Sequence, residues 1–251
     1  MTFDDFECYV MHYTGHTHRK KFLQRQFAKE DISCIFVEDF DREQITYQEF
    51  VSWYKTYVME YMRRSHQYFG FGGITLKPEE VSLSLKHVEA MRLFLQESDK
   101  PYMLVFEDDV IICQNFKNRL NSYLESLPKN WSAAFIGQGA GKRIESRLIQ
   151  PNLFWYRKDY PSDRCTDSIL FTRDTVEQIY TSILDEKMAY PIDHELSYIF
   201  RKLKSNVYWL EPPIVAQGSQ TGFFGTFQDA MSGFYEDKSI KMRDDMEDLL
   251  S

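Results

Sequence analysis

The chain has no apolar run approaching the roughly 18 uninterrupted residues that a membrane-spanning helix needs. Its opening stretch carries Asp4, Asp5 and Glu7 where a secretory leader would be basic, so the expected location is the cytoplasm, with no transmembrane segment. A concentrated Lys/Arg block is also missing. With a formal charge of −8, this argues against nucleic acid as a partner, because gripping a phosphate backbone needs a basic surface. Cysteine is sparse: Cys8, Cys34, Cys113 and Cys165 are widely separated and form no C-x-x-C pair, which points to reduced packing thiols rather than a disulfide framework. His16 and His18 lie close together but on a polar stretch without cysteine, so no zinc cluster is expected. Gly137, Gly139 and Gly141 do not have the G-x-G-x-x-G spacing of a dinucleotide-binding turn.

Apolar material is plentiful, at 43% hydrophobic and 16% aromatic residues, and 251 residues suffice for one large core. There are no internal repeats and no low-complexity linker. Strand-like and helix-like segments alternate, so the expectation is a single α/β domain over residues 1–251, with a mixed, mostly parallel sheet flanked by helices. Residues 226–251 are expected to form a terminal helix or tail.

The most informative junction is Tyr102 Met103 Leu104 Val105 Phe106, which stops at Glu107 Asp108 Asp109 and resumes as Val110 Ile111 Ile112. Strands buried on both faces read as continuous apolar runs, and ligands gather at their carboxyl ends. Three adjacent acids repel one another unless a cation offsets them. Carboxylates suit a hard divalent ion such as Mn²⁺ or Mg²⁺, which completes its shell with substrate phosphates, so a phosphate-bearing substrate is the natural inference. The plainer alternative is a solvated acidic loop.

Other segments add to this. Glu7–Met11 reads as a strand, the His12–Thr17 stretch as a polar turn, and residues 19–29 as a basic helix, whose N-terminus with Arg19, Lys20 and Lys21 is either phosphate-friendly or simply a solvated face. Cys34–Val37 reads as a strand, residues 42–66 as mainly helical and aromatic, and Gly70 to Gly73 as a hinge. A helix follows from Lys77 to just before Lys100, in which Lys86 and Arg92 are expected to be solvated. Further helices are expected at 116–127, 173–184 and 196–203, and strands at 133–136, 168–171 and 207–210. The stretch 142–164 reads as a loop that carries specificity.

In order along the chain, several of these segments resemble the family 25 glycosyltransferases. They are the opening strand with Arg19 after it, Glu80 Val81 Ser82 Leu83 Ser84 Leu85 Lys86 His87 against the family's GEIGCALSH, Phe106 Glu107 Asp108 Asp109 Val110 against EDDV, and Asp193 followed by Tyr208 Trp209 Leu210 Glu211 Pro212 Pro213 and Gln217. The family's glycines and the Ser before His are replaced here. The resemblance implies a GT-A (nucleotide-diphospho-sugar transferase) fold and an inverting hexosyltransferase. It would use a UDP-sugar, galactose or glucose, and a glycan or protein hydroxyl acceptor. Glu107 and Asp109 are implied to hold Mn²⁺ or Mg²⁺, and Arg19, His87 and Asp108 to bind the donor. Asp193 is the first candidate for general base and Glu195 the second. Asp193 reads equally as a helix N-cap, His87 as a core histidine, and Asp108 as a side chain on the opposite strand face. A non-catalytic glycan- or protein-binding relative is the alternative function.

Overall fold

The computed structural model describes residues 1–55, 76–139, 141–220 and 223–224. After a 3₁₀ turn at Phe3–Asp5 come β1 (Phe6–Met11), α1 (Thr17–Lys29), β2 (Ile35–Val37), α2 (Tyr47–Trp53) and α3 (Pro78–Glu97). They are followed by β3 (Tyr102–Glu107), β4 (Val110–Ile112), α4 (Phe116–Leu124), β5 (Ala133–Phe135) and β6 (Trp155–Lys158). The remainder is β7 (Ser168–Thr172), α5 (Arg173–Glu186), α6 (Ile192–Leu203), β8 (Val207–Leu210) and β9 (Val215–Gln217). Seven strands form one sheet in the order β2-β1-β3-β7-β5-β8-β6. The pairing directions give five strands running one way, with β7 and the edge strand β6 reversed.

The uninterrupted apolar run of β3 follows from its central position. Met103 and Val105 enter one core with Leu85, Met91 and Phe94 of α3, Ile179 of α5 and Leu196 of α6. Leu104 and Phe106 enter the other core with Leu23 and Phe27 of α1 and Phe116 and Leu120 of α4. Period-two alternation sends successive side chains to opposite faces, so a strand covered on both sides needs apolar residues throughout. This is the mixed, mostly parallel sheet flanked by helices that the sequence led us to expect.

α3 opens with Pro78 at its first position and with the Glu80 carboxylate accepting the Lys77 N–H at 2.7 Å, a one-way cap that starts the helix where the acids are. At its far end the Arg173 side chain accepts no bond but donates to the Ser98 and Lys100 carbonyls, fastening the turn into β3. Past Glu107 the chain leaves the main sheet, and β4 pairs antiparallel with β9. The buried amide of Gln26 donates to the Val110 carbonyl at 2.8 Å and accepts the Ile112 N–H at 3.2 Å, so α1 is pinned beside the acidic turn.

Several expectations need correction. Within the stretch read as helix from Arg42 onward, α2 is short: Thr46 caps it, and Tyr54 is already extended and bridges Met188. Residues 56–66, the Gly70–Gly73 segment and the 226–251 segment lie outside the described residues. The 142–164 stretch is not all loop, because β6 closes the sheet edge within it. α6 begins at Ile192 with Pro191 as its N-cap, so Asp193 sits in the first turn and is not the cap. Lys86 is 2% exposed, since its ammonium bonds the Asp41 carboxylate at 2.8 Å and the Asp39 carbonyl at 2.6 Å.

Candidate active site

At the carboxyl ends of β1 and β3 a cavity of about 310 Å³ is lined by Tyr13, His16, Arg19, Lys86, Gln217 and Ser219, with Glu107, Asp108 and Asp109 in its wall. A second cavity of about 240 Å³ adjoins it, sharing Leu83, Glu107 and Gln217, and contains Thr166, Asp193 and His194. Thus Arg19, Glu107, Asp108 and Asp109, which are far apart or merely adjacent in sequence, meet in one cleft, and Asp193 stands in the chamber next to it.

The three acids face different environments. Asp108 turns toward the start of α1. Its carboxylate accepts the Tyr13 N–H at 3.1 Å and Arg19 Nη1 at 2.9 Å, and lies 3.1 Å from His12 Nδ1 and 3.4 Å from His16 Nδ1. Burial pushes its pKa up, but the bonds from His12 and His16 and the Arg19 charge outweigh burial and hold it well below the usual carboxylate range. Asp108 is therefore ionised and fully partnered.

Glu107 and Asp109 point the other way. Glu107 accepts the Thr166 hydroxyl at 2.5 Å and the Gln217 amide at 3.2 Å. Burial and the neighbouring Asp109 charge raise its pKa well above the ordinary value. Asp109 is 4% exposed, with one oxygen clasped by the Ser219 hydroxyl and N–H and the other, Oδ1, without any hydrogen-bond partner. Its pKa is also raised, chiefly by burial.

Asp167, which the sequence did not mark, lines neither cavity but is a further buried acid whose charge is felt by Glu107. It is 1% exposed, and burial pushes its pKa up to about 7 despite a bond from the Ser168 hydroxyl. A Cβ at Gly137 would sit 1.6 Å from the Asp167 carboxylate, so only glycine lets β5 end against it. The available signal was an acid immediately before an apolar run that pairs with β3. It was obscured because β7 is antiparallel and presents its first residues, not its last, at this end of the sheet.

A buried, orphaned carboxylate oxygen beside other acids of raised pKa is the environment that a divalent cation would relieve, and the donor set is all oxygen, as Mn²⁺ or Mg²⁺ prefers. Glu107 and Asp109 fit such an ion in the manner of a site that uses one or two carboxylates and leaves other positions to phosphate and water. Among the described residues, the one trio with ligand atoms mutually within 4.8 Å is instead Asp163, Asp193 and His194. There the Lys142 ammonium already bonds the Asp163 carboxylate, so a cation is in place.

Two residues named from the sequence stand apart. His87 is fully buried on α3, lines neither cavity and has no partner for either ring nitrogen, and burial pulls its pKa down to about 3. Glu195 is 3% exposed and accepts the Ala189 and Tyr190 N–H groups at 2.8 and 3.1 Å, fastening the turn that precedes α6. Two charges the sequence did not mark organise the loops instead. Arg164, fully buried, donates to the Lys142 and Leu210 carbonyls, each at 2.8 Å, and to Glu211 at 2.6 Å, while Arg143 binds the same Glu211.

The model of glycosyltransferase family 25 (LPS biosynthesis protein) matches residues 6–166, and the chain belongs to that family. It is therefore a glycosyltransferase by family. No curated protein matches it. Two solved structures are similar over most of their length. A glycosyltransferase involved in the glycosylation of the major capsid of PBCV-1 is 10% identical, with 91% of this chain and 97% of that one covered at a TM-score of 0.43. A protein from STIV is 11% identical, with 86% and 83% covered at the same TM-score of 0.43. No helix among the described residues is long and apolar enough to cross a membrane.

Proposed function

We propose that the protein is a divalent-metal-dependent, inverting glycosyltransferase of the GT-A type. It moves a hexose, galactose or glucose, from a UDP-sugar to a hydroxyl of a glycan or protein. The observation that carries this reading is the pair of adjoining cavities. One has Asp109 and Arg19 in its wall, the other contains Asp193, and Glu107 and Gln217 line both.

In this reading Glu107 and Asp109 hold Mn²⁺ or Mg²⁺, which when bound offsets the negative charge that builds on the departing diphosphate. Arg19 and His16, whose side chains Asp108 orients, face the diphosphate in the larger cavity. Asp108 acts through them and touches no substrate. The acceptor enters the smaller cavity, where the Asp193 carboxylate takes the hydroxyl proton as the oxygen–anomeric carbon bond forms. The bond from that carbon to the diphosphate breaks on the opposite face, and the sugar passes through an oxocarbenium-like state. His87 and Glu195 serve packing and loop anchoring.

The decisive experiment titrates the protein with UDP, with and without Mn²⁺, and then screens UDP-sugars for slow hydrolysis. Metal-dependent binding with one preferred sugar supports the transferase reading. Glycan binding without metal, and no UDP binding in either condition, identifies a non-catalytic relative. Asp109→Ala should abolish the metal-dependent part of UDP binding. Asp193→Asn should leave donor binding intact and lower kcat by about a thousandfold, in the range of a lost general base.

A further inference from the structure

At the opposite end of the sheet from the acids, a cavity of about 350 Å³ opens between the end of β6, the last turn of α6 and the start of β8. Four cations line it, Arg157, Lys158, Arg201 and Lys204, against one acid, Asp159. In a chain of net charge −8 this is a reversal of the overall sign. Cations at the C-terminal end of a helix are ordinary, since they complement the helix dipole, and that accounts for Arg201 in the last turn and Lys204 at the C-cap. It does not account for Arg157 and Lys158, which arrive from an antiparallel strand through the pairing of Arg157 with Tyr208 and of Lys158 with Val207. Two separate elements thus deliver like charges into one concavity, an arrangement that is repulsive unless an anion enters.

Two of the heads lie over aromatic rings. Lys158 Nζ stands 4.5 Å from the Trp209 ring centre, and the Arg201 guanidinium 4.6 Å from that of Tyr160, contacts that orient a cation and leave its charge in place. Among the described residues, Arg157, Lys158 and Lys204 form no ion pair with a carboxylate. Ser162 and Ser205 also line the cavity and offer hydroxyl donors. Cavity, charge and donors together match a tetrahedral oxyanion that accepts several hydrogen bonds at once.

We propose that this cavity is a second ligand site, separate from the donor cleft, which binds a phosphate group. α6 joins the two sites, with Asp193 in its first turn and Lys204 just beyond its last. At 1.5 Å per residue they lie roughly 16 Å apart along the helix axis. The group is a free phosphate or the phosphate of a lipid headgroup.

The test follows backbone amide resonances while inorganic phosphate is added to the full chain, in the wild type and in an Arg157→Glu, Lys204→Glu double variant. Both residues are exposed, so the fold should tolerate their reversal. Saturable shifts at residues 157–162 and 201–207, weakened about tenfold or more in the variant while shifts around Arg19 persist, are the expected result. Shifts confined to the neighbourhood of Arg19, or a linear response with no saturation, would overturn the proposal. A parallel sedimentation with phosphatidylglycerol and phosphatidylcholine vesicles separates the sources. Retention on the anionic vesicles alone, lost in the variant, identifies a headgroup. Saturable phosphate binding without vesicle retention identifies a soluble phosphate.

Discussion

Asp108 shows how much one side chain organises here. Its carboxylate collects a backbone N–H, two imidazoles and a guanidinium from the β1–α1 turn and the helix after it. Asp108→Asn would leave the Arg19 guanidinium facing a neutral amide, at a cost of about 3 kcal/mol, the range for breaking a buried charged pair from one side. Chemical denaturation measures it. Asp109→Asn should act with the opposite sign in a chelator-containing buffer, where removing one of several crowded anions raises the melting temperature while metal-dependent UDP binding disappears. A variant that loses both stability and binding would mean the acids are not in conflict in the resting protein. The buried charges Lys86 and Arg164 were not legible in the sequence. Isolated Lys and Arg read as solvated, and the partners that allow their burial, Asp41 and Glu211, lie 45 and 47 residues away. The Glu107 to Asp109 run was legible, because acids at the end of an apolar element stand out without knowledge of a distant partner, whereas Asp193 was marked only through the family resemblance.

Among the elements, β3 and α3 were legible nearly to the residue. The former is an unbroken apolar run with acids at its end, and the latter begins with Pro and acids and ends before Pro101. Short or edge elements were not. β6 buries only its first two residues, Trp155 in one core and Tyr156 in the other, and continues as Arg157 and Lys158, so its apolar run is too short to stand out. α2 ends within two turns because Tyr54 is drawn into a bridge with Met188, a contact 134 residues along the chain that no local pattern encodes. The glycine at the end of β5 supplies a direct test. Gly137→Ala places a methyl group against Asp167 and should cost about 1–3 kcal/mol or more, as overpacking of a tight site does. Because Asp167 would have to move, metal-dependent UDP affinity should fall in the same variant.

For the whole molecule, two buried acids set opposing pH limits. Glu195 is pushed up to about 7 by burial, against an ordinary value of 4.5, so the folded chain holds this proton more tightly than the unfolded one. Its contribution is fully present below about pH 4.5 and is lost as pH rises through about 7, on the order of 3 kcal/mol by linkage. Asp41 behaves inversely. Burial alone would raise its pKa, but the bonds from Lys86 and Thr14 bring it below the ordinary value, so its contribution exists at neutral pH and disappears on acidification. A stability maximum on the acid side of neutrality is expected, and Glu195→Gln should lessen the decline above pH 6 in a melting-temperature series, the remainder coming from Asp167, which is also pushed up to about 7.

The central position of β3 has one more consequence, for solvent exchange. Its amides bond to β1 on one side and β7 on the other, and both of its faces are sealed by core. No small local opening exposes Met103 to Phe106, so deuterium should enter that stretch only when the entire fold comes apart. The acids a residue or two beyond are thus mounted on a segment that should exchange only through global unfolding, and its exchange rate is a direct reading of global stability, with or without ligand.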